Sequence, residues 1–529
     1  MARSERCRAD GADAGSPLSP AAPEPIGVID IGSNQIRLVV AEAHEDGTLE
    51  ILDRARLPAP LGRDTFTSGR ISRLTMNHVV DLLKGHRRML DAYGVKHIRT
   101  VATSSVREAG NADAFCDRVF MATGFEVDVL QLTEECLLMT LAVRQAAGAL
   151  IRRGYWLVVE VGGGSTLMTI QHNGRIVHSA SSPLGAIRLM QQLGIAREDP
   201  NRASRVLAGH VASVVSAMTK DMPLRKVRNV IALGSDARFV VDQIGTPKPR
   251  SGLMVAEKGA FEALLGDCRT QRPDRIAGRY GLPFAAAETL MPAMIIYDAI
   301  LSATAAKAIF VADVTIREGL LLDLAGWVRG QPEEEVTAGI VSSSEALARK
   351  YHVDMDHARH VTKLALRLFD ELQDEHGLTA RDRLLLQLGS LLHEVGGFIS
   401  PRAHHKHSYY LLDHSELFGL QAYEQQIVAN VARYHRGNTP RPAHDPYMRM
   451  RRDHRVLICK LAALLRVADA LDRGHAQQVD NVALRREADE VILQVPGASD
   501  LYLEQMALKK KADLFAGTFG LRVRLEGEI

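Results

Sequence analysis

Short runs of apolar, β-branched residues around glycine-rich turns dominate the first half of the chain. Residues 26–41 contain two such runs flanking Gly-Ser-Asn, and residues 156–174 repeat the arrangement around Gly-Gly-Gly-Ser-Thr. Each pair predicts a β-hairpin with a tight turn. A weaker third copy at residues 230–240 is expected to follow the same form. Helical patterns such as residues 133–152 lie between these hairpins, and alternating strands and helices favour an α/β fold.

The pattern changes after Trp327, where GQPEEEVTAG is typical of a linker. Apolar residues then recur at i, i+3, i+4 and i+7, which predicts a domain made of helices. The last 50 or so residues contain two short strand-like runs, EVILQV and LRVRLEGEI. We therefore divide the chain into a disordered leader (1–25), lobe I (26–139), lobe II (140–328), an all-α domain (338–475) and a small C-terminal α+β unit (476–529).

Composition excludes several classes of protein. With 46% hydrophobic and 24% charged residues, the 529-residue chain is typical of a globular protein. Its five cysteines include no C-x-x-C pair, which argues against a zinc ribbon or a disulfide framework and for a cytoplasmic location. No continuous apolar run reaches about 18 residues, so we expect no membrane span. The formal net charge is +2, and affinity for a polyanion must therefore come from local basic patches.

Glycine-rich turns at strand ends suit phosphate, because successive backbone N–H groups can converge on one set of oxygens. Gly32-Ser33-Asn34 and the segment 162–166 both fit this description. Either turn alone could be an ordinary hairpin turn. An acidic residue precedes each one, Asp30 and Glu160, and paired acids near phosphate indicate a divalent cation, since bare carboxylates would repel the substrate.

Three further residues are candidates for chemistry on phosphate. Arg107 follows a strand-like run and could clamp a phosphate group, or could form a surface ion pair with Glu108. Glu134 and Glu135 open a helical run after EVDVLQL. Either carboxylate could activate water, although acidic residues also favour helix N-termini for electrostatic reasons.

In chain order, the segments IDIGSN…IRL, ATSSVREAGN, EVDVLQLTEE, VVEVGGGST, SPLGAIRL and IREGLL resemble the exopolyphosphatase / guanosine pentaphosphate phosphohydrolase (Ppx/GppA) family. YHVDMDHARHV, LLHEVGGFIS, HHKHSYYLL and ANVARYHRG extend the resemblance into the HD-like helical domain of its long members. The resemblance implies a duplicated actin-like fold (ribonuclease H-like, ASKHA) of the two-lobed ATPase type. It also implies Mg²⁺-dependent release of terminal phosphate from inorganic polyphosphate or pppGpp, a homodimer, and a role in phosphate storage or the stringent response.

The resemblance assigns roles residue by residue. Asp30 and Glu160 would hold the metal, and Glu135 would be the catalytic base with Glu134 beside it. The phosphate-binding residues would be Gly32, Ser33, Asn34, Arg37, Arg107, Gly162, Gly163, Gly164, Ser165, Thr166, Gly234 and Ser235.

Two departures from the family pattern leave the function open. The family has Asp at the position of Glu160 and Glu at the position of Leu167. Glu134, Asp236 or Glu288 could supply the missing carboxylate. The first hypothesis is a hydrolase. The alternative is a sensor that binds polyphosphate or guanosine penta- or tetraphosphate with little turnover.

The helical domain has candidates for the metal-ligand positions of HD-type phosphohydrolases. They are His357, the pair His393-Glu394 and Asp469. Histidines that pack between helices are the favoured interpretation, and a nucleotide phosphohydrolase of the HD type is a weaker alternative.

Basic residues concentrate near the end of the helical domain. Residues 433–473 contain ten Lys and Arg against four Asp, and His404-His405-Lys406-His407 lies upstream. Such a run is often only a solvated face, but it could also guide a long anion with salt-sensitive affinity. Nucleic acid is a less favoured partner, because few aromatic residues are available for stacking. The predicted basic patch consists of His405, Arg433, Arg436, Arg451 and Arg452.

Overall fold

The computed structural model describes residues 24–44, 48–194, 198–220, 222–249, 251–328, 334–415, 417–496 and 501–527. Residues 1–23 of the predicted leader, residue 329 and residues 330–333 of the predicted linker lie outside this part of the chain. Glu24 and Pro25 already belong to the first strand, and Glu334 already begins a helix. The ends of both segments are therefore more regular than the sequence suggested.

The first sheet has five strands in the order β3-β2-β1-β4-β5. Strands β1, β2 and β3 are antiparallel, whereas β4 and β5 continue the sheet in parallel. The apolar runs on either side of the first turn form β1 and β2, as predicted. The elements are β1 (Glu24–Ile31), β2 (Gln35–Ala43), β3 (Leu49–Pro58), α1 (Leu61–Ser68), α2 (Arg73–Ala92), β4 (His97–Ala102), α3 (Ser104–Arg107), α4 (Ala112–Thr123), β5 (Val127–Val129) and α5 (Leu132–Ala147).

The second sheet has seven strands in the order β10-β11-β12-β9-β6-β7-β8. Its elements are β6 (Tyr155–Val161), β7 (Thr166–His172), β8 (Arg175–Ser182), α6 (Ala186–Leu193), α7 (Pro200–Met218), β9 (Asn229–Leu233), α8 (Ser235–Ile244), β10 (Thr246–Pro247), β11 (Leu253–Glu257), α9 (Lys258–Arg269), α10 (Pro273–Tyr280), α11 (Phe284–Ser302), β12 (Ala308–Ala312) and α12 (Ile316–Val328). Strand β6 is antiparallel to β7 and parallel to β9. The strands β8-β7-β6-β9-β12 thus repeat the arrangement of β3-β2-β1-β4-β5, and this duplication is that of an actin-like fold.

The prediction of a third hairpin at residues 230–240 is wrong for its second half, which is a helix and not a strand. The chain leaves β9 through Gly234, whose φ of +98° favours glycine, and then forms helix α8. Ala237, Val240 and Val241 are buried at i, i+3 and i+4, which is helical spacing. A short apolar run cannot distinguish a strand from a buried helix by composition alone.

Two helices cross between the lobes. Helix α5, which runs through the suggested boundary at residues 139/140, packs on β7, β8 and β12 of the second sheet, and α12 packs on β1, β2 and β4 of the first. The two helices also pack on each other, and a Cβ on Gly319 would lie 2.0 Å from the carbonyl oxygen of Leu138. Each lobe therefore contributes a helix to the core of the other.

Helix α11 is the one described helix that is long and apolar enough to cross a membrane by length and composition. It packs against α6, α7, α8, α9 and α10 beside the second sheet. Burial between these helices accounts for its apolar length.

The rest of the chain forms the helical domain and a small α+β unit. Helix α20 is central and packs against α14, α16, α18, α21 and α22. The C-terminal sheet has the order β13-β14-β15. The elements are α13 (Glu334–Lys350), α14 (Met355–Glu371), α15 (Gln373–His376), α16 (Ala380–Leu392), α17 (His404–Asp413), α18 (Ala422–Tyr434), α19 (Asp445–Met448), α20 (Arg452–Ala470), β13 (Ala483–Arg486), β14 (Glu490–Val495), α21 (Tyr502–Lys511), α22 (Asp513–Phe519) and β15 (Arg522–Gly527).

Candidate active site

The two hairpin turns face each other across a cleft of about 190 Å³ between the lobes. Both turns have the same hydrogen bond, from Gly32 N–H to Gln35 O at 3.0 Å and from Gly162 N–H to Ser165 O at 2.8 Å. The structure brings most of the predicted site residues together around this cleft. Those that line it are Asp30, Gly32, Ser33, Asn34, Arg37, Glu135, Glu160, Gly162, Gly163, Gly164, Ser165, Gly234 and Ser235.

The glycines of the second turn are required by close packing. A Cβ on Gly164 would lie 2.4 Å from the Phe66 ring and from the Ser104 hydroxyl, both in lobe I. A Cβ on Gly163 would lie 2.9 Å from the Ile187 side chain of α6. The backbone of this turn is therefore pressed between the two lobes at the cleft, where its polar groups can approach a ligand.

Two carboxylates lie at the ends of the central strands β1 and β6, the buried Asp30 and the partly buried Glu160. Asp30 accepts hydrogen bonds from Arg37 at 3.3 Å and from Arg317 at 3.0 Å. Oε2 of Glu160 is buried and has no hydrogen-bond partner among the described residues. Burial raises the pKa of Glu160 to about 6, in spite of the nearby Arg317. This carboxylate is thus held in the cleft without full neutralisation.

Glu135 lies in the first turn of α5 and also lines the cleft. Burial raises its pKa to about 7, although the Arg107 guanidinium forms an ion pair with it. Arg107 also donates to the carbonyl oxygen of Leu130. The assignment of Arg107 to phosphate is therefore corrected, because its side chain does not line the cleft and instead holds Glu135.

Glu134 lies away from the cleft, so its assignment as a catalytic residue is wrong. Successive residues of an α-helix point about 100° apart, and only Glu135 faces the turns. Glu134 forms an ion pair with Arg99 at 2.6 Å. Together with Arg381 and Glu424 it lines a separate cavity of about 670 Å³ between lobe I and the helical domain.

Thr166 is the third correction among the predicted site residues. Its hydroxyl is fully buried and donates to the carbonyl oxygen of Leu184. Side chains alternate along a strand, so the next residue, Leu167, faces the cleft instead. Leu167 lies directly opposite Glu160 in the register of β6 and β7.

Three arginines that the sequence analysis did not identify also line the cleft. They are Arg56, Arg238 and Arg317. Arg317 lies at the start of α12, inside the segment IREGLL. Because this segment carries part of the family resemblance, it could have identified Arg317 as a site residue. Arg56 on β3 lies directly opposite Arg37 on β2. Like charges in this position repel each other, so the pair is better satisfied when an anion lies between or beside the two guanidinium groups.

Charged side chains also join the lobes across the cleft. Arg188 of α6 donates to the Gly164 carbonyl at 2.6 Å and to Glu108 of lobe I at 2.5 Å. The alternative ion pair between Arg107 and Glu108 is therefore not formed. Arg107 pairs with Glu135, and Glu108 pairs with Arg188. Glu288 pairs with Arg63 of lobe I at 3.1 Å, outside the cleft.

Asp236 is the one of the three substitute carboxylates that lines the cleft. Burial raises its pKa to about 6. Nearby, the hydroxyl of Tyr297 accepts from the Val161 N–H at 3.1 Å and donates to the Leu233 carbonyl at 2.5 Å. Tyr297 thus fixes the ends of β6 and β9, from which the second and third loops start.

The basic patch is partly assembled. His405, Arg433 and Arg436 lie close together, and burial next to these charges lowers the pKa of His405 to about 4. Arg451 and Arg452 are exposed at the start of α20, where Arg451 pairs with Asp453. Arg466, which contributed to the count of basic residues, is 2% exposed and bonds to Asp513, so it is part of the core.

Two lobes of repeated topology, with a glycine-rich turn and a carboxylate from each at one cleft, define a protein of the actin-like class. The family model described as "Ppx/GppA phosphatase family" matches residues 39–326, and the model "Ppx/GppA phosphatase, domain III" matches residues 341–515. The chain belongs to the Ppx/GppA phosphatase family, which confirms the resemblance seen in the sequence.

Individual relatives are distant but cover much of the chain. A guanosine-5'-triphosphate,3'-diphosphate pyrophosphatase of Vibrio vulnificus (strain YJ016) is 24% identical over 424 residues, covering 78% of this chain and 81% of that protein. One from Aliivibrio fischeri is 23% identical, covering 89% of this chain and 91% of that protein. The crystal structure of an exopolyphosphatase from Cytophaga hutchinsonii is 21% identical with a TM-score of 0.53, covering 57% of this chain and 98% of that chain. The structural likeness supports the two-lobed fold.

Proposed function

We propose that this protein is a Mg²⁺-dependent hydrolase that releases the terminal phosphate of pppGpp or of inorganic polyphosphate. The observation that carries the proposal is the convergence of both glycine-rich turns, four carboxylates and four arginines on one cleft. Relatives named as pyrophosphatases of guanosine pentaphosphate and as exopolyphosphatase support this kind of substrate.

The residues at the cleft fit a Mg²⁺ ion. Oxygen ligands suit Mg²⁺, and Asp30 and Glu160 offer carboxylates from opposite lobes. Oε2 of Glu160 has no partner within the described chain, and a cation would stabilise its charged form. When bound there, Mg²⁺ would neutralise charge on the phosphate oxygens and help to position them.

The protein's own groups would divide the remaining work. Ser33, Asn34 and the backbone of the two turns would orient the terminal phosphate, with Arg37 and Arg56 neutralising its charge. Glu135 would accept a proton from the attacking water at a carboxylate oxygen, while the bond from the terminal phosphorus to its bridging oxygen breaks. Its pKa of about 7 is close to the value that suits a general base near neutral pH. Arg107 would keep this carboxylate in position.

Leu167 favours a second candidate function, a sensor that binds the same anions with little turnover. An apolar side chain lies opposite Glu160, where an additional carboxylate could help to hold a metal or a water molecule. Loss of a group that positions water typically costs about 10²–10⁴-fold in rate. Both candidates use the same cleft, and they differ in turnover alone.

Phosphate release by the purified protein tests the proposal. The assay would use pppGpp and long-chain polyphosphate separately, with Mg²⁺ or with a chelator, and would include Glu135→Gln as a control. Release that requires Mg²⁺ and is lost in the control supports the hydrolase. Binding of either anion without release supports the sensor. Absence of both binding and release refutes the proposed cleft.

A further inference from the structure

Four histidines and an aspartate converge in the helical domain, far from the sequence motifs of the cleft. His357 lies in the first turn of α14, His393 and His435 directly follow α16 and α18, and Asp469 lies near the end of α20. The three histidines are 1%, 0% and 1% exposed. The fourth, His404, begins α17 and is also buried. The cluster thus joins the ends of several helices in the interior.

Possible ligand atoms in this cluster are close enough to share an ion. In one group, His357, His393 and Glu394 offer atoms that all lie within 4.8 Å of one another. In a second group, His393, His435 and Asp469 do the same. His393 belongs to both groups, so the two groups lie next to each other.

The outer ring nitrogens are held in the way that metal-binding histidines require. Nδ1 of His393 lies 2.7 Å from the Ser390 carbonyl, and Nδ1 of His435 lies 2.5 Å from the Ala432 carbonyl. A carbonyl oxygen can only accept, so each Nδ1 donates its proton, and in the neutral imidazole Nε2 keeps a lone pair. Nδ1 of His357 lies 2.8 Å from the Asp472 carboxylate. Such second contacts orient metal-ligating histidines.

Two of the inward nitrogens lack hydrogen bonds within the described residues. Nε2 of His357 and Nε2 of His393 are buried and have no hydrogen-bond partner in the part of the chain that the structure describes. A buried polar atom without a partner is unfavourable, because it has given up its hydrogen bonds to water. His357 and His393 also belong to one group of possible ligand atoms, so one cation could bind both.

The contact between His404 and His435 supports the same conclusion. Their Nε2 atoms lie 3.0 Å apart, while Nδ1 of His404 lies 3.3 Å from the Pro401 carbonyl. If both Nδ1 atoms carry protons, two lone pairs face each other, which is unfavourable. Two nitrogens bound to one ion at about 2.0–2.1 Å lie roughly 3.0–3.5 Å apart, so the observed spacing suits ligands of a shared cation.

We propose that His393, His435 and Asp469 bind a divalent transition-metal ion of the Zn²⁺ or Fe²⁺ kind, with His357 and His404 as adjoining nitrogen donors. Imidazole ligands favour these ions over Mg²⁺, which prefers oxygen. The ion would connect the ends of α14, α16, α18 and α20. This goes beyond the proposed hydrolase, and it reverses the sequence interpretation of these histidines as packing residues.

Lys511 of the C-terminal unit would oppose this ion. Its ammonium group forms an ion pair with Asp469 and is largely buried. A cation next to the carboxylate repels a metal bound to the same group, and burial reduces the screening of that repulsion. Removal of the lysine charge should therefore strengthen metal binding, which is an effect that loss of a packing residue would not produce.

Spectroscopic titration of the untagged, full-length protein tests the proposal. After chelator treatment, Co²⁺ would be added as a coloured probe and then competed with Zn²⁺ and with Mg²⁺. We expect about one Co²⁺ per chain with d–d absorption that Zn²⁺ abolishes and that equal Mg²⁺ leaves unchanged. His393→Gln and His435→Gln should each weaken binding by about 10-fold or more, and Lys511→Met should strengthen it by about 10-fold or more.

Two matched controls make the result specific. His376 is a buried histidine of the same domain whose two ring nitrogens already contact Phe369 O and Leu378 N, so His376→Gln should not change metal affinity. Lys510→Met removes an exposed neighbouring charge and should also have no effect. Circular dichroism would verify the fold of each variant.

Several outcomes would overturn the proposal. One is the absence of stoichiometric binding in both the wild type and Lys511→Met. Another is binding that persists in the two histidine variants. If the two histidine variants do not fold, an unchanged Co²⁺ affinity in Lys511→Met would refute the proposed metal site. Because absorption rather than phosphate release is measured, failure here is separate from failure of the proposed hydrolase.

Discussion

Replacing Leu167 by Glu tests whether the cleft lacks a carboxylate. Leu167 is 3% exposed, lines the cleft and lies directly opposite Glu160. Opposed residues on antiparallel strands have Cβ atoms about 4.5–5.5 Å apart. A carboxylate at position 167 can therefore reach a cation held by Glu160.

The magnitude has two parts with opposite signs. Without a cation, the substitution gives up part of the burial of Leu167 and places a second carboxyl group beside Glu160, whose pKa burial has already raised to about 6. We expect the free energy of unfolding to fall by about 2–4 kcal/mol in chelator. With Mg²⁺, the added carboxylate gains a partner, and part of this loss is recovered.

The assay combines denaturant unfolding with phosphate release over a range of Mg²⁺ concentrations. We expect Leu167→Glu to raise kcat by about 10²-fold or more and to lower the Mg²⁺ concentration at half-maximal rate. Leu167→Gln has the same shape without the charge and should lose stability without gaining activity. The double variant with Glu135→Gln should be inactive.

Two results would refute this reasoning. If the wild type already releases phosphate as fast as Leu167→Glu, then Leu167 does not limit catalysis. If Leu167→Gln raises kcat equally, the gain comes from polarity or water entry and not from a carboxylate.

Three further predictions concern the same cleft. Arg56→Ala should weaken anion binding about 10-fold. It should leave the stability of the ligand-free protein unchanged or slightly higher, because it relieves repulsion with Arg37. A fall in the Tm of the ligand-free protein would contradict this. Tyr297→Phe should lower the free energy of unfolding by about 1–3 kcal/mol, because two buried backbone groups lose their partner; denaturant unfolding measures it. Glu135 has a raised pKa of about 7, so the native state keeps a proton that the unfolded state loses above its usual value near 4.5. The Glu135 carboxyl group therefore contributes about 3 kcal/mol to the free energy of unfolding at low pH, and this contribution is lost as the pH rises to about 7. In metal-free buffer, Glu135→Gln should show a flatter dependence of Tm on pH between about 5 and 8.

Local patterns predicted the hairpins and their turns, because strand alternation and glycine placement are short-range properties. The duplication then predicted that Asp30 and Glu160 would meet, since equivalent positions of two lobes face one cleft. Arg56 and Arg317 do not follow from the duplication, although Arg317 lies in the segment IREGLL that carries the family resemblance. One depends on the register of β3 against β2, and the other on α12 crossing back onto the first sheet.

The helical phase of α5 was a missed signal. Neighbouring glutamates on a helix cannot both face one cleft, so Glu134 and Glu135 should not have shared a role. Which of the two faces the turns depends on how α5 crosses to the second sheet, and sequence does not show that. The homodimer, the cytoplasmic location and the polyphosphate-guiding role of the basic patch stay predictions.

The two candidate metal sites differ in donor chemistry, and this difference makes them separable in one sample. The cleft offers carboxylate oxygens, whereas the cluster in the helical domain offers mainly imidazole nitrogens. A strong chelator would empty both, so loss of activity after chelation cannot assign a role to either. Adding back one ion at a time can, because Mg²⁺ selects oxygen ligands and Zn²⁺ or Co²⁺ selects nitrogen. If Mg²⁺ alone restores phosphate release while Co²⁺ alone restores absorption, the histidine cluster stabilises the helical domain without taking part in the reaction.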